Sequence, residues 1–219
     1  MAITTEHLVL EGGAGAVDCA LDIPEGGLEA ARGWALVLHP HPLFGGARDN
    51  KVVTTIARAC AQQGLAALRP NFRGVGASAG ESDNGQGEAA DMLGVVDQFR
   101  DRYPALAGGR FVLGGFSFGS AVASQVYAGC GPQSERGLDI AGLVLLGTAA
   151  SRFSVASVPE DTLVVHGEQD DTVPLQSVMD WARPQGLPVT VIPGSGHFFH
   201  GNLVVVKRLV LAYLARVLG

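Results

Sequence analysis

The sequence GGFSFGS, residues 114–120, decides which fold the rest of the chain has to support. It places Ser117 between two aromatic residues, each flanked by glycine, directly after the apolar run RFVL. Such a serine is either a simple turn residue or a nucleophile held at a sharp bend between a strand and a helix. Because a G-x-S-x-G match often occurs by chance, the choice depends on whether the chain also supplies a base, an acid and an anion site in a consistent order.

Apolar runs alternate with helical patterns on both sides of this stretch. A continuous apolar run such as WALVLHP is typical of a strand buried on both faces, whereas DNKVVTTIARACAQQG repeats apolar residues at helical spacing. The predicted strands are EHLVL, GAVDCALDI, WALVLHP, LAALRPNF, RFVLGGF, IAGLVLLGT, TLVVHGE and PVTVIPGS. The alternation predicts an α/β fold with a mostly parallel sheet of about eight strands and helices on both faces.

The composition is that of one ordered domain over residues 1–219. Hydrophobic residues make up 47% of the chain and charged residues 16%, which supplies a two-sided core and excludes a disordered protein. No internal repeat or change in composition marks a second domain. The net charge of −6, without a basic stripe, argues against a nucleic-acid partner.

Three features bear on the cellular location. The stretch MAITTEHLVLEGG has neither the basic region nor the apolar core of a signal peptide. The cysteines, Cys19, Cys60 and Cys130, are odd in number and scattered, which is typical of buried thiols in a reducing compartment. The apolar tail NLVVVKRLVLAYLARVLG is interrupted by charged residues, so it predicts a docked helix rather than a membrane span. We therefore expect a cytoplasmic protein.

The loops that follow the predicted strands carry a consistent set of reactive groups. In open α/β sheets, ligands bind beyond the carboxyl ends of the strands. Ser117 follows FVLGG, the acids Asp170 and Asp171 follow TLVVHG, and His197 follows VTVIPG. The chain order serine, acid, histidine is one of three known for a hydroxyl–imidazole–carboxylate triad, and it accompanies a strand–elbow–helix nucleophile.

Each member of this set has a chemical reason to be present. A serine hydroxyl is a weak nucleophile unless an imidazole takes its proton during attack, and the imidazole needs a carboxylate to fix its tautomer. A sharp elbow also requires small neighbours, which Gly115 and Gly119 provide. The sequence therefore predicts Ser117 as nucleophile and His197 as base, with either Asp170 or Asp171 as the acid.

A tetrahedral oxyanion needs two N–H donors. The residue after the nucleophile, Phe118, is expected to supply one, and the loop HPHPLFGG after WALVL the other. Pro40 and Pro42 have no N–H, which leaves the backbone of His41 or of Leu43.

Together, GFSFG, HGEQDDTVP and GSGH resemble the α/β-hydrolase superfamily, and HPHPLFGG…NKVV and RPNFRGVGASAGESDNGQGE resemble its small bacterial members without a lid. The resemblance covers nearly the whole chain. The family pattern HG-x-x-D-x-x-VP begins at His166 and places the acid at Asp170. The pattern H-G-x-P, matched onto HPHP, places the second oxyanion donor at His41, although His39 is followed here by proline instead of glycine.

The resemblance also implies a function. Lidded members carry a cap after the sixth strand, but LLGTAASRFSVASVPEDTLVV is too short to hold one, so the site is expected to be open. We expect a serine hydrolase that cleaves a small acyl ester through an acyl-enzyme, with no cofactor or metal. A thioesterase, a peptidase or a non-catalytic hydrolase-fold binding protein are the alternatives.

Two other interpretations use different residues. Gly74, Gly76 and Ala79 match the loose dinucleotide fingerprint G-x-G-x-x-[GA], but GESDNGQG follows them where that motif needs a helix. We expect this loop to flank the active site instead, held by hydrogen bonds of Arg73 and Ser78.

A metal hydrolase would need His39, His41, His197 and His200 to converge, but HPHP lacks the Asp-His that completes the H-x-H-x-D-H zinc pattern. We expect His39 to shape the site by hydrogen bonding, His166 to pack at a strand end and His200 to lie at the rim.

Overall fold

The structure is a computed structural model that describes residues 3–219. The first two residues of MAITTEHLVLEGG, and of the predicted domain, lie outside the described residues. Within the described chain the strands form one sheet in the order β1-β2-β4-β3-β5-β6-β7-β8. The strands are β1 (Thr4–Gly12), β2 (Gly15–Ile23), β3 (Gly33–Leu38), β4 (Leu65–Pro70), β5 (Arg110–Phe116), β6 (Ile140–Leu146), β7 (Leu163–Gly167) and β8 (Val189–Ile192).

The sheet is mostly parallel, as predicted. β1 pairs with β2 and β2 with β4 in antiparallel register, and every later pairing from β4–β3 to β7–β8 is parallel. Every residue of β3 and β4 is buried, which explains why these strands read as continuous apolar runs. The prediction of about eight strands in a mostly parallel sheet is confirmed.

Helices cover both faces of the sheet. The helices are α1 (Lys51–Gln62), α2 (Gln86–Arg102), α3 (Pro104–Ala107), α4 (Phe118–Cys130), α5 (Leu175–Ala182) and α6 (Leu203–Leu218). Alternate residues of β3 point to opposite faces, so Trp34 lies in the core under α2 and α4, whereas Ala35 lies in the core under α1 and α6. In residues 3–219, no helix is both long enough and apolar enough to cross a bilayer.

The ends of α1 follow from its sequence. The Asn50 side chain accepts a hydrogen bond from the Val52 N–H at 2.9 Å and caps the helix, and Gly64 takes a left-handed conformation (φ 81°) beyond its end. The short helix α3 was not predicted.

The connection between β6 and β7 holds neither helix nor strand. Residues 147–162 form turns and irregular backbone that run from the carboxyl edge of the sheet, at the end of β6, back to the start of β7. The chain passes from one parallel strand to its neighbour without a cap, which leaves the loops at this edge open to solvent.

Candidate active site

Ser117 lies at the junction of β5 and α4 in a strained backbone conformation. Its φ of 56° and ψ of −118° are rare for a residue with a Cβ, and such strain persists only where surrounding packing enforces it. A Cβ at Gly119 would lie 2.6 Å from the His39 carbonyl oxygen, and one at Gly115 would lie 2.6 Å from the Ser120 nitrogen. Glycine is therefore a steric requirement on both sides of the serine.

The loops after β5, β7 and β8 bring three predicted side chains into one hydrogen-bonded chain. His197 Nε2 lies 2.9 Å from Ser117 Oγ, and His197 Nδ1 lies 2.7 Å from Asp170 Oδ2. All three residues are buried. Because an ionised carboxylate only accepts hydrogen bonds, Nδ1 carries the proton and Nε2 is free to accept from the serine hydroxyl. This arrangement gives the hydroxyl a base within reach.

The loop after β7 presents Asp170 to the histidine and turns Asp171 away. Asp170 Oδ1 accepts the backbone N–H of Thr172 at 3.0 Å and of Val173 at 2.7 Å, which leaves Oδ2 for His197. Burial raises the pKa of Asp170, but the hydrogen bonds from His197 and the Val173 N–H outweigh it and lower the pKa below its ordinary value. Asp171 is exposed and contacts Thr172 Oγ1 at 3.3 Å.

A second histidine touches the same carboxylate. His166 Nε2 lies 2.8 Å from the Val173 carbonyl oxygen and 3.3 Å from Asp170 Oδ2, and the side chain is fully buried. Since a carbonyl only accepts, Nε2 carries the proton, and burial lowers the pKa of this histidine so that it stays neutral. The sequence predicts only a packing role for His166. Its position four residues before Asp170 places the two residues in one turn, but that spacing alone does not indicate the contact.

The loop after β3 carries both candidates for the second oxyanion donor, and their N–H groups differ in their hydrogen bonds. Pro42–Phe44 form a 3₁₀ turn in which the Leu43 N–H donates to His41 Nδ1 at 3.2 Å. Among residues 3–219, the N–H groups of His41 and Phe118 donate to no protein acceptor. The two side-chain rings pack with centroids 4.7 Å apart. The geometry therefore favours His41 over Leu43 as the available N–H.

The buried His39 side chain stabilises this loop through hydrogen bonds. Its Nε2 accepts the Phe72 N–H at 2.9 Å, so Nδ1 carries the proton and donates to the Pro40 carbonyl at 2.6 Å. Burial lowers the pKa of His39 to about 4, which keeps the ring neutral. His200 is exposed, and within the described residues no group of three or more His, Cys, Asp or Glu side chains is arranged to hold a metal ion.

Comparison with known proteins identifies the family. An uncharacterized protein of Rickettsia prowazekii is 32% identical over an alignment of 187 residues, and the match covers 82% of this chain and 77% of that protein. A solved lidless α/β serine hydrolase of Xanthomonas campestris is 32% identical, with a TM-score of 0.84 over 99% of this chain and 96% of the other. The chain belongs to the α/β-hydrolase superfamily. The predicted resemblance to its small lidless members is confirmed.

A solved α/β serine hydrolase homologue of Coxiella burnetii supports the same relationship. It is also 32% identical to this α/β-hydrolase, with a TM-score of 0.79 over 97% of this chain and 98% of the other. No family model matches the chain.

The glycine-rich loop of this α/β-hydrolase is held by side-chain hydrogen bonds. Arg73 pairs with Asp91 at 2.7 Å and with Asp83 at 3.1 Å, and Ser78 Oγ donates to the Asn71 carbonyl at 2.9 Å. No helix follows the glycines until α2 begins at Gln86, so the loop lacks the helix N-terminus that a dinucleotide-binding turn needs.

A cavity of about 330 Å³ opens beside the serine of this α/β-hydrolase. Its walls are mainly apolar, and the aromatic rings of Phe44 and Phe198 stand at its mouth with 77% and 45% of their surface exposed. The lining residues are Pro40, His41, Phe44, Gly45, Gly46, Asn50, Ser117, Arg152, Thr172, His197 and Phe198. A small substrate can therefore reach Ser117 from solvent.

Proposed function

We propose that this α/β-hydrolase is a serine hydrolase that cleaves a small carboxylic ester. The observation that carries the proposal is the hydrogen-bonded chain from Ser117 Oγ through His197 to Asp170. The serine end of this chain lies at an open cavity. The kinship with serine hydrolases of 32% identity supports the same chemistry. We further propose that residues 1–219 act as a single domain, because one sheet carries every group of this site.

Acylation begins when Ser117 Oγ attacks the acyl carbonyl carbon while His197 Nε2 takes the hydroxyl proton. The carbonyl oxygen becomes an oxyanion, which accepts hydrogen bonds from the backbone N–H groups of Phe118 and His41. Asp170 holds the Nδ1 proton and stabilises the imidazolium. The bond from carbon to the alcohol oxygen then breaks, His197 passes its proton to that oxygen, and the acyl group remains on the serine.

Deacylation repeats these steps with water. His197 Nε2 takes a proton from a water molecule while the water oxygen attacks the acyl carbon. The backbone N–H groups of Phe118 and His41 donate hydrogen bonds to the new oxyanion. The bond to Ser117 Oγ breaks and the proton returns to this oxygen. The products are a carboxylic acid and free enzyme, and no step requires a cofactor or a metal.

The cavity supports an ester of modest size. Its volume of about 330 Å³ is at the small end of the range for ligand pockets, and within residues 3–219 no cap closes over it. A thioesterase or a peptidase would use the same groups, so the leaving group is the part of this proposal that a substrate panel has to test.

The test combines labelling and turnover. A fluorophosphonate should label Ser117, and purified protein should hydrolyse short para-nitrophenyl esters, whereas Ser117→Ala should lose both properties. Chelation with EDTA should leave turnover unchanged. A wild-type protein that neither reacts with the probe nor turns over esters, thioesters or amides would instead indicate a non-catalytic binding protein.

A further inference from the structure

The irregular connection between β6 and β7 contributes Arg152 to the lining of the cavity. Hydrogen bonds fix it although it contains no regular structure. The N–H groups of Arg152 and Phe153 both donate to the Ala149 carbonyl at 3.2 Å, and the Ala156 N–H donates to Ser124 Oγ on α4 at 2.9 Å. The turn that carries Arg152 is therefore closed by hydrogen bonds within the connection, and four residues later the connection is tied to α4.

Aromatic packing fixes the same segment relative to the site. The Phe153 ring stacks on His41 with centroids 5.2 Å apart and meets Phe118 edge-on at 4.8 Å. His41 and Phe118 are the residues whose N–H groups are proposed to bind the oxyanion. The neighbouring residue, Arg152, thus keeps a defined position beside the reacting carbonyl.

Arg152 is the charged member of an otherwise neutral wall. Among the described residues that line the cavity, it alone carries a permanent charge. Its side chain is exposed and makes no ion pair or hydrogen bond with any residue of the described chain. The arginines that do pair with an aspartate are Arg48, Arg69, Arg73, Arg136 and Arg183. The protein as a whole has a net charge of −6, so the chain carries no overall excess of cations.

An unpaired guanidinium presents a planar fork of N–H donors that matches a carboxylate in two parallel hydrogen bonds. Phe44 and Phe198 line the same cavity and offer apolar surface to the remainder of a ligand. We propose that Arg152 is a specificity-determining residue and that the preferred substrate is an ester with an apolar body and a free carboxylate. This inference rests on the proposed ester hydrolysis and names its substrate class.

The experiment compares matched esters that differ in one charge. The first pair, para-acetoxybenzoate and its methyl ester, carries the charge on the leaving group. The second pair, the adipate monoester and the hexanoate of para-nitrophenol, carries it on the acyl group. For at least one pair, Arg152→Gln should lower kcat/KM of the anionic ester about tenfold and leave the neutral ester within about twofold. The wild-type preference should shrink as salt is added, since the arginine is exposed.

Arg208→Gln is the matched control, because it removes an exposed arginine from α6 outside the cavity lining and changes the net charge equally. It should leave the preference for anionic esters unchanged. Arg152→Glu should reverse the preference. The inference is overturned if Arg152→Gln lowers kcat/KM equally for charged and neutral esters, or changes neither. A wild-type protein that hydrolyses the neutral esters but shows no Arg152-dependent preference overturns only this inference, whereas one that hydrolyses no ester overturns the proposed function as well.

Discussion

His197 Nδ1 lies 2.7 Å from Asp170 Oδ2, and backbone N–H groups hold the other oxygen of that carboxylate. The contact is therefore built from two directions: the turn after β7 aims the carboxylate, and the loop after β8 supplies the imidazole. Asp171 follows directly in sequence but points into solvent. This difference in orientation separates the two acids that the chain order alone left open.

Exchanging Asp170 or Asp171 for asparagine should affect kcat very differently. Asp170→Asn should lower kcat on the order of 10⁴-fold, because an amide can donate to Nδ1 and so favour the tautomer that cannot accept the serine proton. Asp171→Asn should stay within about twofold, as expected for an exposed surface group. Steady-state hydrolysis of a short nitrophenyl ester measures both. Similar losses in the two variants would show that the carboxylate contact is not functional.

The tight turn at Ser117 leads to a prediction that depends only on steric crowding at Gly119. Gly119→Ala would place a methyl group 2.6 Å from the His39 carbonyl oxygen, so the start of α4 has to move. We expect a loss of about 1–3 kcal/mol of stability and at least a 100-fold loss of kcat, because a shift of about 1 Å misplaces the nucleophile. Gly108→Ala is the control, since its Cβ would meet its nearest atoms at 3.7 and 3.9 Å. A Gly119→Ala protein with the wild-type melting temperature and turnover would contradict the steric account.

Much of this fold could be predicted because the sheet is mostly parallel and its central strands are buried on both faces. Such strands appear as apolar runs, so the sequence predicts the central strands β3 to β6 most directly. The order in which the loops present serine, acid and histidine follows directly once the strands are placed, since their carboxyl ends meet at one edge. The resemblance to the α/β-hydrolase superfamily then favours Asp170 over Asp171 as the acid, and in the structure Asp170 Oδ2 lies 2.7 Å from His197 Nδ1.

The missing parts depend on side-chain direction and irregular backbone, which have no period in sequence. The contact of His166 with Asp170 requires the imidazole to turn back over its own loop, and the spacing alone does not show it. The 3₁₀ turn that engages the Leu43 N–H begins at the second of two prolines, Pro40 and Pro42, which fix φ but do not determine the hydrogen bonds. Arg152 was not identified because its segment has neither strand nor helix periodicity.

The His41 side chain should act through its own backbone. Its Nδ1 accepts the Leu43 N–H and so caps the turn that presents the His41 N–H. His41→Ala removes this cap and should lower kcat about 10- to 100-fold with little change in KM. A misaligned N–H group stabilises the oxyanion less well, and this charge develops only in the transition state. His41→Asn keeps an acceptor at the cap and should recover most of kcat. Equal losses in the two variants, or a change confined to KM, would assign the ring to substrate binding instead.

The buried His39 should make stability depend on pH. Burial lowers its pKa from the ordinary value of 6.5 to about 4 in the folded protein. Between these values the unfolded chain binds a proton that the folded chain does not, so the free energy of unfolding falls as the pH is lowered, by up to about 3 kcal/mol at this site. Urea unfolding of the wild type across this window, compared with His39→Gln, should show a shallower pH dependence for the variant, whose amide still offers a donor and an acceptor. The imidazole resonance of His39 gives a direct check, since a midpoint near 6.5 in the folded protein would contradict the prediction.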